Sequence, residues 1–238
     1  METNEQTRIA WDIIETTNTN LFLTGKAGTG KTTFLRHLRR ESAKRIVVLA
    51  PTGIAAINAE GVTIHSFFQL PFAPYIPEAN YKLSSGQFRF GKEKIRVIRS
   101  IDTLVIDEIS MVRADLLDAV DNVLRRYRRS NAPFGGVQML MIGDLGQLAP
   151  VAKDEEWTLL SRYYDTPYFF SSHALHKSAF TMIELTHVYR QSDARFLEIL
   201  NRVRDNRADH AVLNALNSRY IPGFKPREDE GYIRLTTH

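Results

Sequence analysis

Cysteine is absent from the 238 residues. That excludes disulfides, thiolate metal sites and a cysteine nucleophile, and it suits a reducing compartment. Long apolar runs are missing as well, so nothing reaches the roughly 20 residues that a bilayer-spanning helix needs. The opening stretch METNEQTRIAWDIIE mixes polar and apolar residues and reads as neither signal nor transit peptide. Large net charge is also lacking. The formal value is +4, but the positive charge is clustered. Arg36, Arg39, Arg40, Lys44 and Arg45 form one group, Arg89, Lys92, Lys94, Arg96 and Arg99 a second, and Arg125, Arg126, Arg128 and Arg129 a third. Such groups suit a polyanion, and about half are expected to be solvated helix ends instead.

Glycine is sparse but placed where it matters. Residues 25–32 read GKAGTGKT, which meets the phosphate-loop pattern G-x-x-x-x-G-K-[ST] at every position. Leu21, Phe22 and Leu23 before it predict a buried strand, and Phe34, Leu35 and Leu38 after it have helical spacing. Glycines let backbone N–H groups curl round a phosphate, and the helix N-terminus adds partial positive charge. Lys31 would reach the β- and γ-phosphates, and Thr32 would offer its hydroxyl to Mg²⁺. The plain alternative is a glycine-rich turn that happens to hold a lysine.

The chain around the loop alternates strand and helix, which predicts an α/β domain with a mostly parallel sheet. Residues 5–16 read as a helix, and Gln6 in it lies just upstream of the first strand; alone, it reads as a surface residue. Residues 46–50 form a second apolar strand ended by Pro51. After it come Thr52, Gly53 and the segment with His65, Ser66, Phe67 and Phe68. Loops at strand carboxyl ends face the ligand edge of such sheets. These residues could contact nucleic acid with hydroxyls, N–H groups and rings, although at least one of Phe67 and Phe68 should be core. Residues 71–99 lose all periodicity and mix prolines, aromatics and cations, so they predict a small inserted subdomain or functional loop.

Residues 103–106 run apolar into Asp107-Glu108, an acidic pair at a strand end. Asp107 would hold Mg²⁺ through water and Glu108 would activate an attacking water. Leu116, Leu117, Val120, Val123, Leu124 and Tyr127 predict a long amphipathic helix whose arginine-rich end complements its dipole. Another strand, 137–142, leads into Gly143, Asp144 and Gln147; that amide could hold a γ-phosphate or its water. A further strand, 180–185, precedes Arg190, which could neutralise charge on a transferred phosphoryl group or simply form a surface salt bridge. Helices follow over roughly 196–216, then a polar linker at 222–231 and the start of an apolar strand at 232–235.

Taken in order, GKAGTGKT, APTGIAA with TIHSFF, VIDEISM, GDLGQL and VYRQ resemble the motif series of superfamily I DNA helicases. The likeness is to the petite-integration-frequency (PIF) family first, and to the RecD-like helicases next. It runs from about Gln6 to Gln191, and DAVDNVLRRYRRSNAPFGG at 118–136 resembles the signature that separates the PIF family. The resemblance implies a RecA-like P-loop NTPase domain over 1–70 and 100–225, an inserted subdomain at 71–99, and, at 226–238, a linker and the opening of a second RecA-like domain. It implies a monomeric 5′-to-3′ DNA helicase that uses ATP and Mg²⁺ on single-stranded DNA and its junctions with duplex, with roles in genome maintenance. The place would be a bacterial cytoplasm, with the nucleoid, or a eukaryotic nucleus or mitochondrion, and not a membrane.

By the same resemblance, Gln6 would read adenine, and Gly25, Ala27, Gly28, Thr29, Gly30, Lys31, Thr32 and Thr33 would hold the nucleotide. Lys31, Glu108, Gln147 and Arg190 would be catalytic, Arg190 as an arginine finger. Thr32 and Asp107 would serve the metal. Pro51, Thr52, Gly53, His65, Ser66 and Phe67 would lie along DNA. Leu145 and Ala149 depart from the family's usual GDFxQLPPV. Two other classes fit a phosphate loop: a AAA-type ATPase that remodels proteins, which predicts oligomers and indifference to DNA, and a small-molecule kinase, which needs an acceptor-site lid. TIHSFF and the 118–136 stretch speak against the first, and the second explains neither Gln147 nor Arg190.

Overall fold

The computed structural model describes residues 4–77, 90–189, 191, 193–225 and 227–233. Two compact units divide the chain, Met1–Arg190 and Gln191–His238. The first unit holds, in order, α1 (Glu5–Thr16), β1 (Asn20–Gly25), α2 (Lys31–Glu41), β2 (Ile46–Ala50), α3 (Gly53–Asn58), β3 (Val62–Thr63), α4 (Ile64–Phe68) and α5 (Lys92–Ser100). It continues with β4 (Thr103–Ile106), α6 (Ala114–Arg128), β5 (Gln138–Gly143), α7 (Asp154–Leu160), α8 (His173–His176) and β6 (Phe180–Leu185). The second unit holds α9 (Ala194–Arg204) and α10 (His210–Asn217). These two helices, assigned from sequence to a domain reaching residue 225, thus cluster apart from the sheet.

Among the described residues the sheet has six strands in the order β3-β2-β4-β5-β1-β6, and every pairing is parallel. The strands predicted at 21–23, 46–50, 103–106, 137–142 and 180–185 are all present. Their side chains alternate between two cores. Phe22, Leu104, Ile106, Met139 and Met141 meet α4, α5 and α6 on one face. Leu21, Leu23, Val105, Leu140 and Ile142 meet α1 and α2 on the other. A sheet buried on both faces needs strands that are apolar throughout, which is why these read as continuous runs.

The end of the expected insertion belongs to the main core. Phe90 and Ile98 are buried with α6 residues, so α5 is a layer of the first unit. Most of the remaining insertion, 78–89, lies outside the described residues, as do residues 234 and 235 of the strand expected at 232–235.

The 118–136 stretch folds into a buried polar hub. Asp118 accepts from the hydroxyls of Tyr164 (2.9 Å) and Ser172 (2.5 Å) and from the N–H groups of His173 (3.1 Å) and Ala174 (2.9 Å). Asp121 accepts from the Phe134 N–H at 2.5 Å, holding a turn in which Phe134 has φ +52°. The Arg128 guanidinium donates to the carbonyls of Gly135, Ile98, Arg99 and Ile101. Part of the basic clustering is therefore structural. Arg45 pairs with Asp102 at 2.7 Å and Arg39 with Glu60 at 2.9 Å.

Candidate active site

Four neighbouring strands, β4, β5, β1 and β6, run parallel, so their carboxyl ends share one edge. That edge is where ligands sit in open α/β sheets. β1 leaves through Gly25, whose Cβ, if it had one, would stand 2.6 Å from the Leu185 carbonyl and 2.7 Å from Thr29 Oγ1. Only glycine lets the loop turn this close to β6. Gly30 then opens α2 at φ +94°. The buried Thr29 donates its hydroxyl to the Lys26 carbonyl at 2.9 Å, bracing the loop from within. The Lys31 ammonium lies across the same loop, donating to the carbonyls of Gly25 (2.5 Å) and Lys26 (3.1 Å).

Asp107 follows β4 and is anchored by its N–H to the Leu49 carbonyl at 2.8 Å. Its carboxylate accepts from the Glu108 N–H at 3.0 Å. Burial pushes the Asp107 carboxyl up to about 6; the neighbouring Glu108 charge adds to this, while the Glu108 N–H bond and Lys31 oppose it. Glu108 itself sits in the left-handed region, φ 51° and ψ 44°. A non-glycine residue there carries strain of about 1–2 kcal/mol, the kind of distortion that collects at functional sites. The next turn, Ile109–Met111, nests on β5. A Cβ on Gly143 would come within 2.8 Å of Ile109 Cγ2.

After Gly143, the buried Asp144 accepts from Gly146 N–H (3.0 Å) and from Gln147 Nε2 (2.9 Å). It therefore sets where the Gln147 amide lies. Sequence reasoning missed this role, although Asp144 stood in the motif directly after β5.

One cleft of about 640 Å³ gathers the phosphate loop, Glu108 and Gln147, and Asp107 does not line it. Ala27, Gly28, Thr29, Gly30, Lys31, Thr32 and Thr33 line it together with Glu108, Gln147, Thr7 and Tyr189. Tyr189 is a further residue that sequence reading passed over. Its N–H bonds the Gly28 carbonyl at 2.9 Å, and its ring flanks Gly30. Gln6 stands beside Thr7, and its amide is paired with Thr186 just past β6. Arg190 lies outside the described residues.

The donor set suits a hard divalent cation carried in with phosphates. Among the described residues no cluster of three or more His, Cys, Asp or Glu could cage a metal alone. A hydroxyl at Thr32 and a carboxylate at Asp107, made costly to ionise by burial, fit Mg²⁺, which takes few protein ligands.

The residues expected along DNA meet a second, mainly apolar cavity of about 260 Å³, whose lining includes Pro51, Thr52 and His65. The Thr52 hydroxyl accepts from Ala55 N–H at 3.2 Å and caps α3, so its side chain has a structural task as well. His65 stacks on Phe72, centroids 4.7 Å apart, and burial lowers its pKa. Gly53 and Ser66 are exposed. Phe67 does not join this surface. It is 8% exposed, sits edge-on to Phe68 and is capped by the Lys94 ammonium 3.3 Å above its ring. Both phenylalanines are core, because the apolar face of the short α4 points into the sheet.

A family model described as PIF1-like helicase matches residues 1–212. The chain is 37% identical over 191 residues to the ATP-dependent DNA helicase PIF1 of Saccharomyces cerevisiae, covering 78% of this chain and 21% of that protein. It is 33% identical over 201 residues to the ATP-dependent DNA helicase Pif1 of Bdellovibrio bacteriovorus, covering 83% of this chain and 42% of that one. The fold superposes on a Bacteroides Pif1 helicase solved with ADP-AlF3 and ssDNA, with a TM-score of 0.92 and 41% identity over 100% of this chain and 54% of that chain. The chain thus spans less than half of these curated relatives and about half of the solved one. With the phosphate loop, the acidic pair and the glutamine loop gathered on one sheet edge, the chain belongs to the PIF1-like helicase family.

Proposed function

We propose that this chain is the nucleotide-binding portion of an ATP-dependent 5′-to-3′ DNA helicase. The observation that carries the reading is the single cleft in which the phosphate loop, Glu108 and Gln147 meet. Lys31 and the N–H groups of residues 27–33 hold the β- and γ-phosphates. Thr32 and Asp107 would hold Mg²⁺, which would neutralise phosphate charge. Glu108 accepts a proton from the attacking water, and Gln147, set by Asp144, aligns that water with the γ-phosphorus. Arg190 neutralises charge that develops during transfer. Gln6 reads the base.

Single-stranded DNA is the second ligand. Pro51 and Thr52 follow β2, Gly53 opens α3, and His65 and Ser66 lie in α4 just after β3, so nucleotide and strand would share the frame of one sheet. Translocation requires a second RecA-like domain closing over ATP and opening after hydrolysis. Relatives solved with ssDNA support this partner. The test is ATP turnover by the full-length protein with and without single-stranded DNA. Stimulation is expected, and turnover that DNA leaves unchanged would exclude the motor.

A further inference from the structure

Gln6 and Thr186 lie 180 residues apart in sequence and face each other beside the cleft. The Thr186 N–H donates to Gln6 Oε1 at 3.2 Å, and Gln6 Nε2 donates to Thr186 Oγ1 at 3.2 Å. A backbone N–H can only donate, so the amide oxygen must face it and the orientation of the Gln6 amide is set. Thr186 Oγ1 is also 3.4 Å from Gln6 Oε1. An atom that near both ends of the amide lies in front of its outer edge. That edge is the one a glutamine uses to read adenine, accepting from N6–H and donating to N7. Thr186 offers the same pair, one donor and one acceptor. The flanking residues put the pair at the cleft. Thr7 and Tyr189 both line it, and Tyr189 N–H bonds the Gly28 carbonyl.

Resting on the reading of this cleft as a nucleotide site, we infer that Thr186 is a specificity-setting residue that imitates adenine. Adenine and Thr186 need one edge of one amide, so base binding breaks the Gln6–Thr186 pair. Guanine, which offers two acceptors at O6 and N7, cannot take the place of a donor–acceptor pair and leaves Gln6 with Thr186. The exchange frees the exit of β6, the segment that carries Tyr189.

The test is titration of ADP, GDP and inorganic tripolyphosphate into the chain and its variants Thr186→Val, Thr186→Ser, Gln6→Ala and the Gln6→Ala/Thr186→Val double. Thr186→Val keeps the backbone donor and removes the hydroxyl, so ADP should bind about fivefold more tightly, the effect of one neutral hydrogen bond. GDP and tripolyphosphate should be unchanged. Thr186→Ser should match the parent, and Gln6→Ala should erase the gain. Equal shifts for all three ligands, weaker ADP binding in Thr186→Val, or a gain that survives Gln6→Ala would overturn the proposal while leaving the nucleotide site intact. Tripolyphosphate binding that is absent, or indifferent to Lys31→Ala, would overturn the site itself and the proposal with it.

Discussion

Lys31 and Glu108 carry separable parts of the proposed chemistry. Lys31 brings the positive charge that lies across the loop. Replacing it with alanine should weaken ADP binding at least about tenfold, since hydrogen bonds to charged groups are worth about 1.5–3 kcal/mol; titration of the chain reads this directly. Glu108→Gln keeps the shape and removes the carboxylate proposed as the base. Nucleotide affinity should hold within about twofold while turnover by the full-length protein falls by roughly 10²–10⁴. Strain offers a separate test. Glu108 is held at φ 51°, so Glu108→Gly should raise the unfolding free energy by up to about 1 kcal/mol, read as a higher midpoint, and still abolish turnover. A lower midpoint would mean that the Glu108 side chain, and not only its chemistry, supports the fold.

Elements turn those residues into a site. Gly143 lets the turn after Glu108 rest on β5, and a methyl group there would press on Ile109. Gly143→Ala should therefore cut turnover more than nucleotide affinity, because it moves Glu108 and spares the phosphate loop; equal losses would show general damage. In the layer that also packs Ile109, α6 carries Asp118 with four donors aimed at it. Asp118→Ala should cost about 3 kcal/mol or more in urea unfolding, since several buried donors are left unpaired.

The start of β4 carries a pH-dependent link. The side-chain hydrogen bond from Arg45 holds Asp102 down at about 2. A carboxylate depressed in the folded state stabilises above its unfolded value near 4, and that stability is lost as pH falls toward 2. Arg45→Met should flatten the acid limb between about pH 4 and pH 2 by lowering stability above pH 4 and leaving it unchanged below about pH 2; the loss should be modest because the pair is partly solvated.

At the scale of the molecule, the positive surface is smaller than the count of cations suggests. Arg128 is spent on carbonyls and Arg45 on Asp102. DNA affinity should fall steeply with salt, yet alanine at Arg128 or Arg45 should leave the salt slope unchanged and lower stability instead. A reduced slope for either variant would place it on the DNA.

The amino-acid sequence by itself marked the nucleotide motifs and five of the six strands. The phosphate loop, the acidic pair and the glutamine loop are each contiguous, and a contiguous motif works through backbone geometry set by its own residues. The strands were legible because a parallel sheet covered on both faces demands unbroken apolar runs. Tertiary structure decided the rest. That Phe67 is core, that α5 joins the main layer, that Asp118 and Arg128 serve the fold, and that Thr186 holds Gln6 are all contacts between segments distant along the chain. Such contacts depend on which strands pair and in what register, and only the folded sheet settles that.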